Sequence, residues 1–231
     1  MQAVDAIIFD KDGTLFDFQA TWTAPFLRLL DDLPAHVSRP RAAEVLGFDL
    51  EAVRFHPDSV VIAGTTGEVA SVLAPVIGCA PMDVVAMLNT AGSGARQMPA
   101  VPLRPCLERL RSRFVLGLVT NDSEAPARRH LAQEEVLDLF AFVAGYDSGY
   151  GAKPAPGQLL GFAEVMGLAP EVTLMVGDSR HDLAAGRAAG MRTVGVLTGV
   201  AGPAELADLA DVILPDIGHL EAWIDGEITA D

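Results

Sequence analysis

A chain of 231 residues, half of them hydrophobic, can bury a sizeable core and is expected to form one or two domains. Its formal net charge of −15 argues against nucleic acid and anionic membranes as partners, because both would repel it. The two cysteines are too few and too far apart to predict a zinc site or a disulfide framework. With no apolar run of membrane length and no secretory signature at the N-terminus, we expect a cytoplasmic protein.

The first predicted element is a buried strand over residues 6–9, which are uniformly apolar. It ends on Asp10, and a second carboxylate follows at Asp12, so both side chains point to one face of an extended segment. Gly13 then allows a tight turn. Two like charges at the end of a buried strand are costly unless a cation lies between them or one is protonated. The stretch therefore predicts a divalent metal site with a chemical use for both carboxylates.

A calcium-binding loop is the competing interpretation of this Asp-x-Asp-Gly stretch. Such a loop has Asp or Asn at its fifth position, Gly at its sixth and Glu at its twelfth. Here those positions hold Thr14, Leu15 and Thr21, so a calcium loop is disfavoured.

Residues 16–97 are predicted to form an all-helical module inserted into another domain. Apolar residues at three- and four-residue spacing indicate helices over about 22–33, 40–46, 67–77 and 82–95, and no β alternation is evident. A polar break at residues 64–67 is either a loop that selects the substrate, through Thr65 and Thr66, or an ordinary helix connection. The proline-rich stretch 96–105 is predicted as a linker and, together with residues 16–19, as a hinge.

Beyond the linker, strands and helices alternate, which predicts a parallel sheet with helices on both faces. Strands are expected over 114–119, 140–144, 172–176, 193–197 and 212–214, and helices over 124–133, 156–166, 180–189 and 217–224. Strand 6–9 completes the sheet. The predicted fold class is α/β, with a Rossmann-like three-layer core formed by residues 1–15 and 98–231. Neither a G-x-G-x-x-G fingerprint nor a Walker loop is present, so dinucleotide and P-loop functions are disfavoured.

Short polar side chains follow three of the predicted strands. They are Asp10, Asp12, Thr120, Asn121, Asp122, Asp178 and Asp182. Because the carboxyl ends of parallel strands lie along one edge, these groups can converge, and Lys153, just before a helix, can reach the same edge. Such a set suits phosphoryl transfer, with one carboxylate as nucleophile, another as general acid and base, and Mg²⁺ and a lysine to offset charge.

Four ordered motifs resemble those of the haloacid dehalogenase-like (HAD) hydrolases. They are Asp10-Lys11-Asp12-Gly13-Thr14-Leu15, Thr120-Asn121, Lys153-Pro154 and Gly177-Asp178-Ser179-x-x-Asp182. The insert resembles the helical cap of the phosphoglycolate phosphatase-like branch, and we call residues 16–97 the cap.

The resemblance implies a role for each matching residue. Asp10 is expected to be the nucleophile and Asp12 the general acid and base, while Lys153 orients Asp10 and the phosphate. Thr120 and the Asn121 backbone would bind phosphate. Mg²⁺ would be held by Asp10, Asp178 and the Asp12 backbone carbonyl, with Asp182 positioning a metal-bound water or Lys153.

We therefore predict a Mg²⁺-dependent phosphatase that hydrolyses a small phosphorylated metabolite, with phosphoglycolate or a sugar phosphate as first candidates. A β-phosphoglucomutase-like phosphomutase is the alternative enzyme, and a non-catalytic binding or regulatory protein is the alternative of another class. Haloacid dehalogenation ranks last, because the name-giving dehalogenases lack an acid at the position of Asp12. The sequence leaves open whether the protein is a monomer or a homodimer.

Overall fold

The computed structural model describes residues 4–226, which form an α/β core and a cap inserted after the first strand. The strands are β1 (Ala6–Phe9), β2 (Phe48–Asp49), β3 (Arg54–Phe55), β4 (Val115–Val119), β5 (Phe142–Ala144), β6 (Thr173–Gly177), β7 (Arg192–Val196) and β8 (Val212–Leu214). The α-helices are α1 (Phe18–Asp31), α2 (Arg39–Val45), α3 (Val60–Ala63), α4 (Thr66–Ile77), α5 (Pro81–Ser93), α6 (Leu103–Arg111), α7 (Glu124–Gln133), α8 (Gly157–Met166), α9 (Arg180–Ala188), α10 (Pro203–Leu206) and α11 (Leu220–Ile224).

Six strands form one parallel sheet in the order β5-β4-β1-β6-β7-β8. Alternate residues of β1 pack on opposite faces: Ile7 and Phe9 belong to one buried cluster, and Ala6 and Ile8 to another. Both faces are therefore covered, as parallel sheets require. The predicted Rossmann-like, three-layer core is confirmed. The first and last residues of its predicted strands lie within two residues of those observed.

The direction of strand addition reverses at β1. From β1 the chain adds β4 and β5 on one side, and then β6, β7 and β8 on the other. A reversal of this kind opens a crevice at the carboxyl ends of the central strands, which is where open α/β sheets bind ligands.

Helix α6 begins inside the stretch that was predicted to be a linker. Leu103 is its first residue, and Pro105 lies in its first turn. Backbone N–H groups in the first turn have no acceptor within the helix, so the missing N–H of a proline costs no hydrogen bond there. The prolines therefore mark a helix start here. The prediction of a linker as far as residue 105 was wrong by one helical turn.

The two connections between core and cap run side by side. The backbone N–H of Asp17 donates to the Met98 carbonyl at 2.8 Å, and that of Ala100 donates to the Leu15 carbonyl at 3.0 Å. These paired segments support the proposed cap boundaries at residues 16 and 97.

The cap has its own hydrophobic core, formed by the inner faces of α1, α2, α4 and α5. It also contains a short antiparallel hairpin, β2–β3, in which Phe48 is aligned with Phe55. Both rings pack against Phe26, with centroids 4.9 and 4.8 Å away. This hairpin corrects the prediction of an all-helical module, because strands of two residues are too short to show an alternating pattern.

Among residues 4–226, no single helix has the length and apolar composition needed to cross a membrane. One bent pair, Thr66–Ile77 with Pro81–Gly92, meets those two criteria jointly, with an angle of 113° between its helices. Five of the twelve residues of α4 are buried within the cap core, including Leu73 and Ile77.

Candidate active site

Three adjacent strands each deliver a polar side chain to the same edge of the sheet. Asp10, Thr120 and Asp178 directly follow β1, β4 and β6. The strands are held in register there, because the backbone N–H of Asp10 donates to the Val176 carbonyl at 2.9 Å. All three side chains are buried. The predicted convergence at one edge is thus present in the fold.

Lys153 joins this edge from the loop before α8. Its ammonium lies 2.6 Å from Asp10 Oδ1 and 2.6 Å from Asp182 Oδ1, and it donates to the Val119 carbonyl at 3.1 Å. The peptide bond between Lys153 and Pro154 is cis. With 4 % of its surface exposed, the lysine is a buried cation shared by two carboxylates.

For each member of this ion pair, burial and the charge of the partner have opposite effects on the pKa. Burial is the largest influence on Asp10 and, despite the lowering effect of Lys153, raises the pKa of Asp10 to about 7. Burial also disfavours the ammonium of Lys153, but Asp10 and Asp182 outweigh it and raise the pKa of Lys153. Lys153 is therefore cationic at neutral pH.

Asp10, Asp178 and Asp182 form a cluster in which one oxygen from each lies within 4.8 Å of the others. Burial, followed by Asp182 and Asp10, raises the pKa of Asp178 well above its usual range. The carboxylate of Asp178 is closely enclosed, since a Cβ on Gly13 or Gly199 would overlap it. One lysine among three carboxylates leaves negative charge uncompensated, and hard carboxylate oxygens are the ligands that Mg²⁺ prefers.

Asp182 differs from the other two acids because protein donors engage both of its oxygens. Ser179 donates to Asp182 Oδ2 through its hydroxyl at 2.6 Å and its backbone N–H at 3.1 Å, forming a capping box at the start of α9. Lys153 holds Oδ1. This geometry suits a residue that positions Lys153, and it leaves Asp10 and Asp178 as the better candidates for metal ligands.

Thr120 and Asn121 begin the loop after β4. The Thr120 hydroxyl accepts from the backbone N–H of Asp122 at 3.0 Å. The Asn121 amide spans three segments: it accepts from the Lys153 N–H at 2.9 Å and donates to the Lys153 carbonyl at 2.9 Å and to the Ala63 carbonyl at 2.8 Å. Asn121 thereby connects the lysine loop with the cap.

Asp12 points away from the acidic cluster. Its Oδ1 accepts from the Trp22 indole N–H at 2.8 Å, and its Oδ2 lies 3.1 Å from the Lys11 ammonium. Trp22 lies on α1, so a side chain of the cap is hydrogen-bonded to the predicted acid and base of the core. Asp12 also lines the cavity between the two parts.

Lys11 organises a second buried charge network, which the sequence analysis missed. Its ammonium is 2.6 Å from Asp122 Oδ2 and 3.1 Å from His130 Nδ1. Burial disfavours the charged form of Lys11, but Asp12 and Asp122 outweigh it and raise the pKa of Lys11. Burial and then Lys11 lower the pKa of His130. A lysine between two motif aspartates was the available signal, but spacing alone does not reveal partners more than 100 residues away.

The two threonines predicted to select the substrate lie in different environments. Thr65 is the N-cap of α4, where it accepts from the Glu68 N–H at 3.2 Å in a reciprocal capping box. Thr66 lines the cavity. The polar break at residues 64–67 is thus the connection from α3 to α4, and Thr66 is the threonine that faces the site.

A cavity of about 130 Å³ separates the core edge from the cap. Its core side is polar and includes Asp10, Thr120, Lys153 and Asp178. Its cap side is built mainly from apolar side chains of α1, α3, α4 and α5. A ligand in this cavity would meet charged groups at one end and hydrocarbon at the other.

The family model for haloacid dehalogenase-like hydrolases matches residues 4–190, so the chain belongs to that family. It is therefore a hydrolase, and the phosphoglycolate phosphatases among its sequence relatives indicate an enzyme of the phosphatase class.

Sequence relatives point to the same group. The chain is 32 % identical over 202 residues to a phosphoglycolate phosphatase from Pseudomonas putida. The aligned region covers 84 % of this chain and 69 % of that protein. It is 41 % identical over 107 residues to a phosphoglycolate phosphatase from Escherichia coli, a match to 46 % of this chain and 42 % of that protein. The second match thus spans less than half of either protein.

Solved structures share the fold at lower sequence identity. A magnesium-bound protein from Bacillus subtilis, described as a HAD hydrolase, has a TM-score of 0.71 at 16 % identity, covering 97 % of this chain and 100 % of that one. A protein from Thermotoga maritima, described as a beta-phosphoglucomutase, has a TM-score of 0.70 at 18 % identity, with coverage of 97 % and 100 %. At these identities the likeness concerns the fold alone.

Proposed function

We propose that the protein is a Mg²⁺-dependent phosphatase that hydrolyses a small phosphomonoester through an aspartyl-phosphate on Asp10. The observation that carries this proposal is the buried cluster of Asp10, Lys153, Asp178 and Asp182 beside a cavity between core and cap. A buried excess of carboxylates destabilises a fold, so its presence at a cavity suits a chemical task.

Lys153 supports Asp10 as the nucleophile. With Asp10 Oδ1 held by the lysine at 2.6 Å, the other oxygen is the one that attacks phosphorus. A bond from that oxygen to phosphorus forms as the bond from phosphorus to the ester oxygen breaks. The leaving oxygen takes a proton from the Asp12 carboxyl group.

In the second half of the reaction, water attacks the phosphorus of the aspartyl-phosphate. Asp12 now accepts a proton from that water, and Asp10 is released together with inorganic phosphate. Thr120 and the Asn121 backbone N–H, at the end of β4, are proposed to bind the phosphate oxygens. Lys153 offsets their negative charge throughout.

The donor set of this edge fits Mg²⁺. Asp10 and Asp178 would hold the ion together with the Asp12 carbonyl, while Asp182 keeps Lys153 in place. When bound, the ion supplies positive charge that offsets both the carboxylates and the phosphoryl group. The magnesium-bound relative of the same fold supports this assignment.

The proposal is tested by screening phosphorylated metabolites for release of inorganic phosphate in the presence of Mg²⁺. Asp10→Asn is expected to abolish turnover while the far-ultraviolet circular dichroism stays unchanged, because an amide cannot form the intermediate. Asp208→Asn, which neutralises an exposed acid paired with Arg180, is the matched control and should retain full activity. Hydrolysis at the wild-type rate by purified Asp10→Asn would refute the nucleophile assignment.

Two alternatives are separated by the same assay. A phosphomutase would convert β-glucose 1-phosphate into the 6-phosphate, whereas a phosphatase would release phosphate from it. A binding or regulatory protein would turn over none of the esters while still binding one of them. A cytoplasmic location and a monomeric or homodimeric state stay as predictions, to be checked by fractionation and by light scattering.

A further inference from the structure

The cap wall of the cavity is apolar over most of its surface. Its side chains come from five cap elements, α1, β3, α3, α4 and α5, and include Phe26, Leu29, Phe55, Ile62, Val69 and Leu88. The polar side chains on this wall are those of Thr66 and Asn89, together with the indole of Trp22, whose N–H is already bonded to Asp12. A leaving group that extends from the phosphate into the cap would therefore meet hydrocarbon.

The cap's basic residues lie elsewhere. All seven are exposed, and none of them lines the cavity. They are Arg28, His36, Arg39, Arg41, Arg54, His56 and Arg96. Since the whole cap lies within the described part of the chain, its wall offers no cation to a second negative charge on the substrate.

The basic side chains that line the cavity from the core side are those of Lys153, His130 and His181. Lys153 is shared by Asp10 and Asp182. His130 faces the Lys11 ammonium, which favours its neutral form. His181 is exposed at the start of α9, beside the acidic cluster. The balance of charge around the cavity is negative before any substrate enters.

A carboxylate buried against such a wall would lose its hydration without gaining a cation, and the side-chain donors that the wall offers it are those of Thr66 and Asn89, which disfavours binding. Several unpaired sugar hydroxyl groups would meet the same difficulty to a smaller degree. An alkyl or aryl group, in contrast, gains from the transfer out of water.

We infer that the substrate of this enzyme carries its phosphate on an uncharged, apolar alkyl or aryl group, and that phosphoglycolate is a poor substrate. This inference rests on the proposed phosphatase function and narrows its substrate class. The cap wall is the specificity-determining surface, and Leu88 on α5 is a half-buried part of it.

The test compares two esters of nearly the same shape, isobutyl phosphate and phosphoglycolate. The two methyl groups of the first occupy the place of the two carboxylate oxygens of the second. With Mg²⁺ present, we expect kcat/KM for isobutyl phosphate to exceed that for phosphoglycolate by about tenfold or more. An equal or higher value for phosphoglycolate would overturn the inference and leave the phosphatase function standing.

A charge introduced into the wall provides an independent readout. Leu88→Arg is expected to shift the ratio of the two kcat/KM values toward phosphoglycolate by about tenfold, whereas Leu88→Met, of similar size and uncharged, should leave the ratio unchanged. If Leu88→Arg does not fold, the wild-type ratio decides. p-Nitrophenyl phosphate serves as the reference ester: if neither it nor any other ester is hydrolysed, the phosphatase function itself fails, and the inference fails with it.

Discussion

The two sides of the cavity handle charge in opposite ways. At the core edge, ionisable side chains are buried or half-buried and are paired: Lys153 with Asp10 and Asp182, and Lys11 with Asp12 and Asp122. In the cap, every basic side chain is exposed and the wall facing the site is mostly hydrocarbon. Burying a charge is tolerated where partners are fixed by the backbone, and the parallel strands fix them here. The difference supports our proposals that the chemistry takes place at the core and that the cap discriminates between leaving groups.

Lys153→Met is expected to have the largest effect of the changes proposed here, because it leaves three neighbouring carboxylates of the core without their cation. We expect kcat/KM to fall by about 10³-fold and, in a chelator, the free energy of unfolding to fall by about 3 kcal/mol. Steady-state kinetics and urea denaturation measure the two effects. Arg54→Met, which removes an exposed positive charge of the cap, is the control and should leave both quantities unchanged. Similar losses in the two variants would contradict the division between core and cap.

Magnesium should increase this difference between core and cap, because we propose that it binds beside the three carboxylates of the core. At about 100 times its Kd, Mg²⁺ is expected to stabilise the folded protein by about 2.7 kcal/mol, a rise in Tm of roughly 5–10 °C. In Asp178→Asn the Mg²⁺-induced rise should disappear, while the metal-free variant should melt above the metal-free wild type, since one of three crowded carboxylates is gone. Differential scanning calorimetry with and without a chelator distinguishes these outcomes. An equal shift in both proteins would exclude Asp178 as a ligand.

Trp22→Phe tests the hydrogen bond between the cap tryptophan and Asp12 of the core, and of the changes proposed here it is expected to have the smallest effect. The change keeps an aromatic ring on α1 but removes the N–H that donates to Asp12 at 2.8 Å. A hydrogen bond to a charged group is worth about 1.5 kcal/mol, so kcat/KM should fall by roughly tenfold. Trp223→Phe, in the core and outside the cavity lining, is the matched control. If both variants behave alike, Trp22 acts through packing alone.

Local pattern predicted the core well, because a buried parallel strand is a short apolar run that ends where the chain turns polar. The strand 6–9 and the polar group that starts at Asp10 illustrate this, as do 212–214 and the helix 124–133. The cap was predicted less closely. Strands β2 and β3 have two residues each and helix α3 has four, which is below the length at which periodicity becomes visible.

The candidate site was predicted in part for the same reason. Asp10, Thr120 and Asp178 follow strands, so their convergence depends on strand order alone, and the structure places them together. Asp122 was also among the polar residues expected at this edge, whereas Trp22 and His130 carried no such signal. All three lie in the network around Lys11 and Asp12. Their catalytic roles, like those of the predicted residues, are matters for the experiments above.

By itself, the sequence determined the fold class and the identity of the residues at the strand ends, and it predicted the place of the insert, because these depend on local periodicity and on the order of motifs. Only the tertiary structure decided which carboxylates share a lysine, that Asp12 is hydrogen-bonded to a cap tryptophan, and that the cavity is charged at one end and apolar at the other. Pairing and burial depend on distances between segments far apart along the chain, and those distances are set by packing.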